Sequence, residues 1–314
     1  MTGAALAGGY VADLIFGDPV RRHPVAGFGQ LATRTETLLY APTRARGLTY
    51  AAGLAGAAAL AGGLLARAAG RVRGGRAVVL AVVTWAALGG RSLTGVADGL
   101  ADAVQAGDLD GARRTLACLC GRDAHALDGP GLSRAAVESV AENTADAVVG
   151  ALLWGALAGP AGVMGYRAAN TLDAMVGHRD DRYGDFGWAA ARLDDALNWP
   201  VARLSAVITV VCAPVVGGSP ATTWRVLRRD GAHHPSPNAG RVEAAFAGAL
   251  GLALGGPLAY AGVLQTRPTL GNGTAPTPAD VHRSTRLSLA VGTLATVACA
   301  GARALLDRRR GGTP

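Results

Sequence analysis

Two acidic side chains stand one helical turn apart just before an apolar stretch. Glu142 and Asp146 are like charges at i and i+4, so they repel each other unless a cation lies between them. Arg134 precedes them on the same four-residue spacing, and Asn143 lies beside Glu142. This pattern fits either a solvated helix face or a site for Mg²⁺ or a substrate amine, with Asn143 as a further polar ligand.

A second polar region pairs acidic and amide side chains at helical spacing. Asn170 and Asp173 share one helix face, and Asp194 and Asn198 share another. Arginines and carboxylates alternate around them: Arg179, Asp180, Asp181, Arg182, Asp185, Arg192 and Asp195. These charges could neutralise one another in a loop. They could also hold a Mg²⁺-phosphate substrate, because carboxylates bind the metal and arginine forks bind phosphate oxygens.

Two proline-containing segments present further polar groups. The first places Asp18 and His23 next to prolines, and the second, residues 233–243, presents Ser236, Asn238 and Glu243. Rigid turns of this kind serve either as ordinary loops and caps or as holders of a ligand. The sequence contains neither a nucleophile elbow nor a phosphate-binding glycine loop of the P-loop type.

The composition indicates that these residues are positioned by a membrane bundle. Of 314 residues, 50% are hydrophobic and only 17% are charged, and the mean hydropathy is +0.26. Soluble domains carry about 25% charged residues. Uncharged runs cover residues 47–66, 77–90, 147–166, 204–224, 244–266 and 287–302. We therefore expect an all-α, polytopic integral membrane bundle that forms a single domain over residues 1–314.

Several runs are interrupted, which predicts half-helices that re-enter the side they came from. The breaks fall at Gly159-Pro160, at Pro214 with Gly217-Gly218, and at Gly255-Gly256-Pro257. Irregular backbone at membrane depth survives only where it is buried in protein or lines a cavity, so these breaks point toward a site. The run 77–90 has no such break, and we expect its helix to continue through Ala97. The helix that carries Glu142 is expected to begin after Ser133, which is its predicted N-cap.

The charge distribution favours membrane lipid over nucleic acid as a partner. The net charge is +8, and all 30 strong bases are arginine. These arginines flank apolar runs and are not interleaved with aromatic residues, as a nucleic-acid groove requires. The positive-inside rule then predicts that the loop 67–76 and the arginine-rich C-terminal tail face the cytoplasm.

Taken together, the motifs resemble one family. They occur in the order Gly17-Asp18-Pro19, His23-Pro24-Val25, Arg91-Ser92-Leu93, Gly121-Arg122-Asp123, Val137-Glu138-Ser139-Val140-Ala141-Glu142-Asn143-Thr144, Asn170-Thr171-Leu172-Asp173, Asp185-Phe186-Gly187-Trp188, Ala191-Arg192-Leu193-Asp194-Asp195 and Ser236-Pro237-Asn238-Ala239-Gly240. From residue 13 to about residue 290 the chain resembles the CobD/CbiB family of cobalamin biosynthesis. Small departures from the family pattern occur at Ala124 and at Arg241-Val242.

The resemblance implies a C–N ligase in a multi-pass cytoplasmic membrane protein, with its active site facing the cytoplasm. The family activity is that of adenosylcobinamide-phosphate synthase, which joins adenosylcobyric acid, a corrinoid, to (R)-1-aminopropan-2-yl phosphate or a related amino-alcohol phosphate. ATP is the co-substrate and Mg²⁺ the metal. A homo-oligomer or a complex with other B12-pathway enzymes is compatible with this role.

Joined to that chemistry, the polar residues receive hypothetical roles. Catalytic groups are Glu142, Asp146 and Asp173, and metal ligands are these three with Asp185. Substrate-binding groups are Asp18, His23, Arg122, Arg134, Asn143, Asn170, Arg182, Arg192, Asp194, Asp195, Ser236, Asn238 and Glu243.

Two other functions fit the acidic helices. One is an intramembrane prenyl- or phosphotransferase that holds Mg²⁺-diphosphate, although the paired N-x-x-x-D-x-x-x-D motifs do not occur. The other is a non-catalytic transporter or scaffold at the membrane.

Overall fold

The computed structural model describes residues 2–18, 23–121, 123–125, 127–260 and 263–311. Its helices are, in chain order, α1 Thr2–Phe16, α2 Pro24–Leu39, α3 Arg44–Ala69, α4 Gly75–Ala87, α5 Gly90–Gln105, α6 Leu109–Leu116, α7 Gly129–Asn143, α8 Gly150–Val176, α9 Trp188–Cys212, α10 Pro220–Asp230, α11 Ala239–Leu250 and α12 Pro278–Gly311. A π-helical turn, Thr144–Val149, joins α7 to α8, and a 3₁₀ turn, Ala213–Val216, follows α9. Two strands, β1 Leu254–Tyr260 and β2 Val263–Leu270, precede α12. The all-α prediction is therefore confirmed, with one small β-hairpin added.

The chain groups into two compact units. The first comprises Met1–Gly89, Asp146–Asn198 and Ala295–Pro314, and the second comprises Gly90–Ala145 and Trp199–Leu294. The expectation that residues 1–314 form one domain remains a prediction.

Helix length and composition support a multi-pass membrane protein. Within the described residues, five helical stretches are long and apolar enough to cross a membrane. They are Arg44–Ala69, Gly75–Gln105, Gly129–Val176, Trp188–Val216 and Pro278–Arg309. Two of these stretches are interrupted, one at Leu88 and one at Gly159.

The core of the first unit is built around a buried aromatic side chain. Phe186 is fully buried and contacts Tyr50 of α3, with 5.1 Å between the ring centroids. Small residues allow this packing, because a Cβ on Gly47 would lie 1.9 Å from the Phe186 carbonyl oxygen. Leu172 and Val176 of α8 complete the cluster. The loop before α9 is thereby fixed against α3.

Helix α8 reverses direction at Gly159, as its glycine-proline break predicts. Gly159 has φ 64° and ψ −147°, a conformation that favours glycine. A Cβ on Gly150 would lie 2.2 Å from the Tyr166 ring, and one on Gly162 would lie 2.2 Å from the Trp154 carbonyl oxygen. Residues 16 positions apart in a straight helix would be about 24 Å apart. The two halves of α8 therefore pack as an antiparallel helical hairpin.

The two ends of α3 lie near different features of the first unit. Arg44, at its start, pairs with Asp185, whereas Gly62, near its end, packs against Pro160 at the reversal of α8. A helix as long as α3 spans about 39 Å. If α3 crosses a membrane, loop 67–76 and loop 177–187 face opposite sides. In that case loop 67–76 and an active site at the loop 177–187 end of α3 cannot both face the cytoplasm, and both expectations remain predictions.

Two helix boundaries differ from the expectation. Helix α4 ends at Ala87, and extended backbone at Leu88 (ψ 162°) separates it from α5, so the run 77–90 does not continue as one helix through Ala97. Helix α7 begins one turn before Ser133. Its N-cap is Asp128, whose Oδ1 accepts from the Gly131 N–H at 2.9 Å, and Ser133 is buried inside the helix.

In the second unit, a β-hairpin replaces the expected second half-helix of the run 244–266. Helix α11 ends at Leu250 with Gly251 (φ 71°) as its C-cap, and Gly255 and Gly256 also have positive φ angles, which a helix does not accommodate. The strands are antiparallel, from Leu254 opposite Leu270 to Tyr260 opposite Val263. The break predicted at Pro214 and Gly217 is confirmed, because the 3₁₀ turn ends at Gly217 with φ 76°.

Buried carboxylates hold the base of this hairpin. Glu138 Oε1 accepts from the Gly255 N–H at 2.7 Å, and Asp230 Oδ2 accepts from the Gly271 N–H at 2.8 Å. Arg229 forms a bidentate ion pair with Asp230, at 2.6 and 2.7 Å. This hydrogen bonding from Arg229, with help from Gly271, lowers the pKa of the Asp230 carboxyl below its ordinary value. Both carboxylates therefore serve the fold of the second unit.

Candidate active site

The first unit brings two of the predicted carboxylates together through one amide. Asn170 Nδ2 donates to Asp146 Oδ2 at 3.3 Å and to Asp194 Oδ1 at 3.2 Å. Asp194 is buried and Asp146 is half-buried, so the amide supplies hydrogen bonding that water supplies at an exposed carboxylate. All three are predicted site residues: Asp146 as a catalytic group and metal ligand, and Asn170 and Asp194 as substrate-binding groups; these roles remain predictions.

A tyrosine and a second amide extend this network. Asn198 Nδ2 donates to Asp194 Oδ2 at 2.9 Å, and Asn198 Oδ1 accepts from the Tyr166 hydroxyl at 2.7 Å. The Tyr166 hydroxyl also lies 3.0 Å from the backbone carbonyl oxygen of Asp146. We call Asp146, Tyr166, Asn170, Asp194 and Asn198 the carboxylate–amide network.

Helical spacing explains how the network forms. Tyr166 and Asn170 are at i and i+4 on the returning half of α8, and Asp194 and Asn198 are at i and i+4 on α9. The indole N–H of Trp154, on the outgoing half of α8, donates to the Leu197 carbonyl oxygen at 3.2 Å and so ties α8 to α9. Asp146 lies in the π-helical turn Thr144–Val149, a widened turn that often occurs at functional sites.

An arginine and a His–Asp pair lie next to the network. Arg167 Nη1 donates to Asn170 Oδ1 at 3.2 Å, and its guanidinium interacts electrostatically with Asp146 and Asp18. His23 Nε2 lies 3.7 Å from Asp18 Oδ1, while its Nδ1 accepts from the Val25 N–H and caps α2. A Cβ on Gly89 would lie 3.8 Å from Asp18 Oδ2 and 3.9 Å from the Cβ of Ala147, the residue after Asp146, so Asp18 and His23 are near the predicted site. His23 also has a structural role.

The charges of this region favour a cation. It contains the carboxylates Asp18, Asp146 and Asp194 and the guanidinium of Arg167. In the part of the chain that the structure describes, no group of three or more His, Cys, Asp and Glu side chains is arranged to hold a metal ion. Mg²⁺ is usually held by one or two carboxylates together with substrate phosphates, so a carboxylate pair is a donor set of the right kind.

The loop between α8 and α9 uses its charged residues for contacts within the first unit. Arg182 Nη2 donates to Glu36 Oε1 at 2.8 Å, and Tyr183 donates to the same oxygen at 2.9 Å. The hydrogen bond with Glu36 raises the pKa of Arg182, and partial burial raises the pKa of Tyr183. Asp185 pairs with Arg44 at 3.1 Å and is exposed. A phosphate role for Arg182 and a metal role for Asp185 remain predictions.

Three further predicted residues belong to α8 and α9: Asp173 on α8, and Arg192 and Asp195 on α9. Arg192 pairs with Asp195 at 3.6 Å, on an exposed turn of α9. Asp173 is half-buried near the end of α8, where its Oδ1 lies 1.9 Å from the position that a Cβ on Gly177 would occupy. Their catalytic and binding roles remain predictions.

The second unit holds the remaining described candidates. Glu142 is exposed, and the Asn143 amide donates to Ser139, at 2.9 Å to the carbonyl oxygen and 3.1 Å to the hydroxyl. Arg134 Nη1 lies 3.2 Å from the position that a Cβ on Gly256 would occupy, beside the base of the β-hairpin. Arg122 lies outside the described residues.

The proline-rich loop of the second unit is rigid around a buried histidine. Ser236 Oγ accepts from the N–H groups of Asn238 and Ala239, at 3.3 and 3.2 Å, and so caps the start of α11. His234 Nδ1 accepts from the Ser236 N–H at 3.0 Å, and its Nε2 lies 3.9 Å from the buried Glu243. Ser236 and Glu243 therefore contribute to the structure of this loop, and their substrate-binding roles remain predictions.

Part of the network was not predicted from the sequence. Asn198 shares a helix face with Asp194 but received no role from that spacing, and neither Tyr166 nor Arg167 was a candidate. Arg167 directly follows the uncharged run 147–166, and an ionisable residue at the edge of an apolar run is a signal of function.

Comparison with known proteins identifies the family. The family model described as CobD/Cbib protein matches residues 6–288. A protein named cobalamin biosynthesis protein CobD from Mycobacterium tuberculosis (strain CDC 1551 / Oshkosh) is 53% identical over 283 residues, covering 90% of each chain. Proteins of the same name are 42% identical in Geobacter metallireducens, covering 90% of this chain and 91% of the relative, and 41% identical in Chromobacterium violaceum, covering 88% of each. No solved structure matches. The chain belongs to the CobD/CbiB family.

Proposed function

We propose that this protein acts in cobalamin biosynthesis as an adenosylcobinamide-phosphate synthase. It joins the propionate carboxylate of adenosylcobyric acid to the amine of (R)-1-aminopropan-2-yl phosphate, or of a related amino-alcohol phosphate, and consumes ATP. The observation that carries the proposal is the match to cobalamin biosynthesis proteins named CobD over 90% of the chain at 53% identity. The carboxylate–amide network supports it as a site with suitable chemistry.

The reaction needs an activated acyl group, because a carboxylate is a poor acyl donor. Transfer of the γ-phosphoryl group of ATP to the propionate gives an acyl phosphate and ADP. The amine then attacks the acyl carbon, the C–O bond to phosphate breaks, and the amide and inorganic phosphate form. The attacking amine must lose a proton, and a carboxylate next to the nitrogen can accept it.

Asp146 and Asp194 are suited to hold the amine and to accept this proton. A protonated amine entering beside them meets two carboxylates oriented by the single amide of Asn170. Asn198 Nδ2 donates to the second oxygen of Asp194, and the Tyr166 hydroxyl, bonded to Asn198 Oδ1, orients that amide, so the Asp194 carboxylate is held on both oxygens. Arg167, beside Asp146, provides a fork for a phosphate or carboxylate oxygen.

The same residues fit Mg²⁺ as a ligand set. Carboxylate oxygens are the hard donors that Mg²⁺ prefers, and phosphates of ATP would complete the coordination. The metal would neutralise charge on the transferring phosphoryl group. Because ATP is a cytoplasmic substrate, we place the end of the first unit that carries this network on the cytoplasmic side of the cell membrane.

An assay with purified protein tests the proposal. The detergent-solubilised chain is incubated with adenosylcobyric acid, the amino-alcohol phosphate and Mg²⁺-ATP, and ADP is measured with each substrate omitted in turn. A ligase of this kind forms ADP over many turnovers only when both substrates are present, because without the amine the reaction stops at one acyl phosphate per protein. Continued ADP formation without the amine, release of diphosphate in a parallel incubation with a prenyl diphosphate, or no turnover at all would contradict the proposal and favour a transferase or a scaffold.

Variants link the activity to the network. We expect Asp146→Asn and Asp194→Asn to lower turnover by about 10² or more, as loss of a positioned acid or base group does. Asp110→Asn is the control, since Asp110 lies in an exposed pair with Arg113 on α6. Alanine at Glu142 or Asp173 tests the roles expected from sequence. Wild-type turnover in both Asp146→Asn and Asp194→Asn would remove the network from the mechanism.

A further inference from the structure

Two arginines of the second unit, Arg203 on α9 and Arg241 in the first turn of α11, both contact Asn238. The Arg203 guanidinium stacks on the Trp199 ring, 4.1 Å from its centroid. Its Nη1 donates to the Trp199 carbonyl oxygen at 2.8 Å and to Asn238 Oδ1 at 3.3 Å. These contacts hold the guanidinium in one orientation at the N-terminus of α11.

Arg241 stands in the first turn of α11, where its backbone N–H donates to the carbonyl oxygen of Asn238 at 3.1 Å, on the same residue whose side-chain oxygen binds Arg203. Its Nε is buried and has no hydrogen-bond partner among the described residues. Within the described part of the chain, neither Arg203 nor Arg241 forms an ion pair with a carboxylate. The nearby Glu243 lies instead 3.9 Å from His234.

Two partly buried cations without a counter-ion are costly, and the cost disappears when an anion lies between them. Arginine forks match the oxygen geometry of phosphate, and two forks can engage one phosphate group through several charge-assisted hydrogen bonds. The N-terminus of α11, a helix of 12 residues, adds a favourable dipole for a negative charge.

The surrounding loop is already in place to receive a ligand. A Cβ on Gly240 would lie 2.2 Å from the Cβ of His234, so only glycine allows the loop to close on α11 in this way. Asn238 is buried between Arg203 and the helix start. A rigid site loses little conformational entropy on binding.

We propose that Arg203 and Arg241 form a binding site for a phosphate group. The proposal rests on residues of the second unit alone and does not depend on the proposed reaction. The phosphate group belongs either to a soluble phosphomonoester or to the headgroup of an anionic lipid, and both present the same chemistry to the two guanidinium groups.

Binding measurements in phosphate-free detergent test the site. Inorganic phosphate is titrated into the full chain and binding is followed by ³¹P NMR and by thermal stability. We expect saturable binding to the wild type, and at least about tenfold weaker binding to Arg203→Gln and to Arg241→Gln, as loss of one charge-assisted contact predicts. Arg225→Gln, an exposed change on α10, is the matched control and should bind as the wild type does.

Two further readouts separate the possible outcomes. Phosphatidylglycerol that displaces inorganic phosphate identifies a lipid headgroup as the ligand, whereas failure to displace it identifies a soluble phosphate. In phosphate-free buffer, Arg241→Gln should be at least as stable as the wild type, because it removes a repulsion. Unchanged phosphate affinity in both glutamine variants, or a loss of stability without phosphate, would overturn the proposal.

Discussion

The side chain of Asn170 links the two carboxylates of the candidate site. One amide nitrogen donates to Asp146 and to Asp194, so its removal leaves two carboxylates without their common donor. We expect Asn170→Leu to lower turnover by about 10- to 100-fold, because hydrogen bonds to charged groups contribute about 1.5–3 kcal/mol.

Thr171→Val is the matched control for this change. Thr171 follows Asn170 on α8, and its hydroxyl donates to the Arg167 carbonyl oxygen within the same helix. Both variants are compared for turnover and for amount of folded protein in the membrane fraction. Equal turnover in Asn170→Leu and Thr171→Val would mean that the shared amide does not orient the carboxylates.

The Arg229–Asp230 pair makes the second unit sensitive to acid. The pKa of Asp230 is lowered in the folded protein, so the ionised carboxylate adds stability at pH values above its unfolded pKa of about 3.9. This stability is lost as the pH falls through the lower folded pKa. Thermal unfolding between pH 7 and pH 3 should show that Asp230→Asn is less stable than the wild type at neutral pH. On acidification the variant should lose less stability than the wild type does. A parallel pH dependence in the variant and the wild type would contradict this role.

Residue types alone revealed part of the network. Asp146, Asn170 and Asp194 could be predicted because they are polar residues at helical spacing beside apolar runs. Tyr166 could not, because a tyrosine at the end of an apolar run looks like core, and its hydroxyl gains a partner only after α8 reverses and brings α9 alongside.

The hairpin of α8 requires the backbones of its two halves to approach each other closely. A Cβ on Gly162 would lie 2.2 Å from the Trp154 carbonyl oxygen, so Gly162→Ala forces the two halves apart. We expect a clear loss of folded protein and of thermal stability, since overpacking of a tight contact costs about 1–3 kcal/mol.

Gly53→Ala on α3 is the control for the hairpin. No atom lies within 4 Å of the position that its Cβ would occupy, and alanine favours a helix over glycine by about 1 kcal/mol. Thermal unfolding in detergent should therefore rank Gly53→Ala at or above the wild type and Gly162→Ala below it. The reverse order would contradict the antiparallel packing.

At the level of elements, the positions of helix breaks could be predicted more accurately than the structure of the chain after each break. Gly159-Pro160 and Pro214 with Gly217 are breaks in the structure. After Leu250, however, the apolar character of the run 244–266 suggested another half-helix, whereas three glycines with positive φ angles direct the chain into a β-hairpin. Apolarity alone does not distinguish a short helix from a strand.

For the whole molecule, the position of α3 sets a topology that can be measured. With the network on the cytoplasmic side, a cysteine at position 180 should be labelled from the cytoplasm, and cysteines at positions 72 and 305 from the outside. Val72 and Leu305 are exposed, and Arg303 of α12 donates to the Ala156 carbonyl oxygen beside the reversal of α8, against which the end of α3 packs at Gly62. Cys118 is exposed and is replaced by serine in the background chain. Labelling of positions 72 and 180 from one side would contradict a crossing by α3.

The positive-inside rule could not settle this topology, because arginines occur near both ends of α3. Arg44 and Arg46 lie at its start and Arg67 and Arg71 at or beyond its end. The contacts of Arg44 with Asp185 and of Gly47 with Phe186 show which loops share an end.

The most direct test of the proposed ligase activity is to identify the product that the purified chain forms from adenosylcobyric acid, the amino-alcohol phosphate and Mg²⁺-ATP. Mass spectrometry should find the condensed amide, equal in mass to the two substrates less one water. It should form in the wild type and in Asp110→Asn, and at about 1% or less of that rate in Asp194→Asn. An absent amide in the wild type would contradict the proposed ligase, and undiminished amide formation in Asp194→Asn and Asp146→Asn would contradict the proposed site.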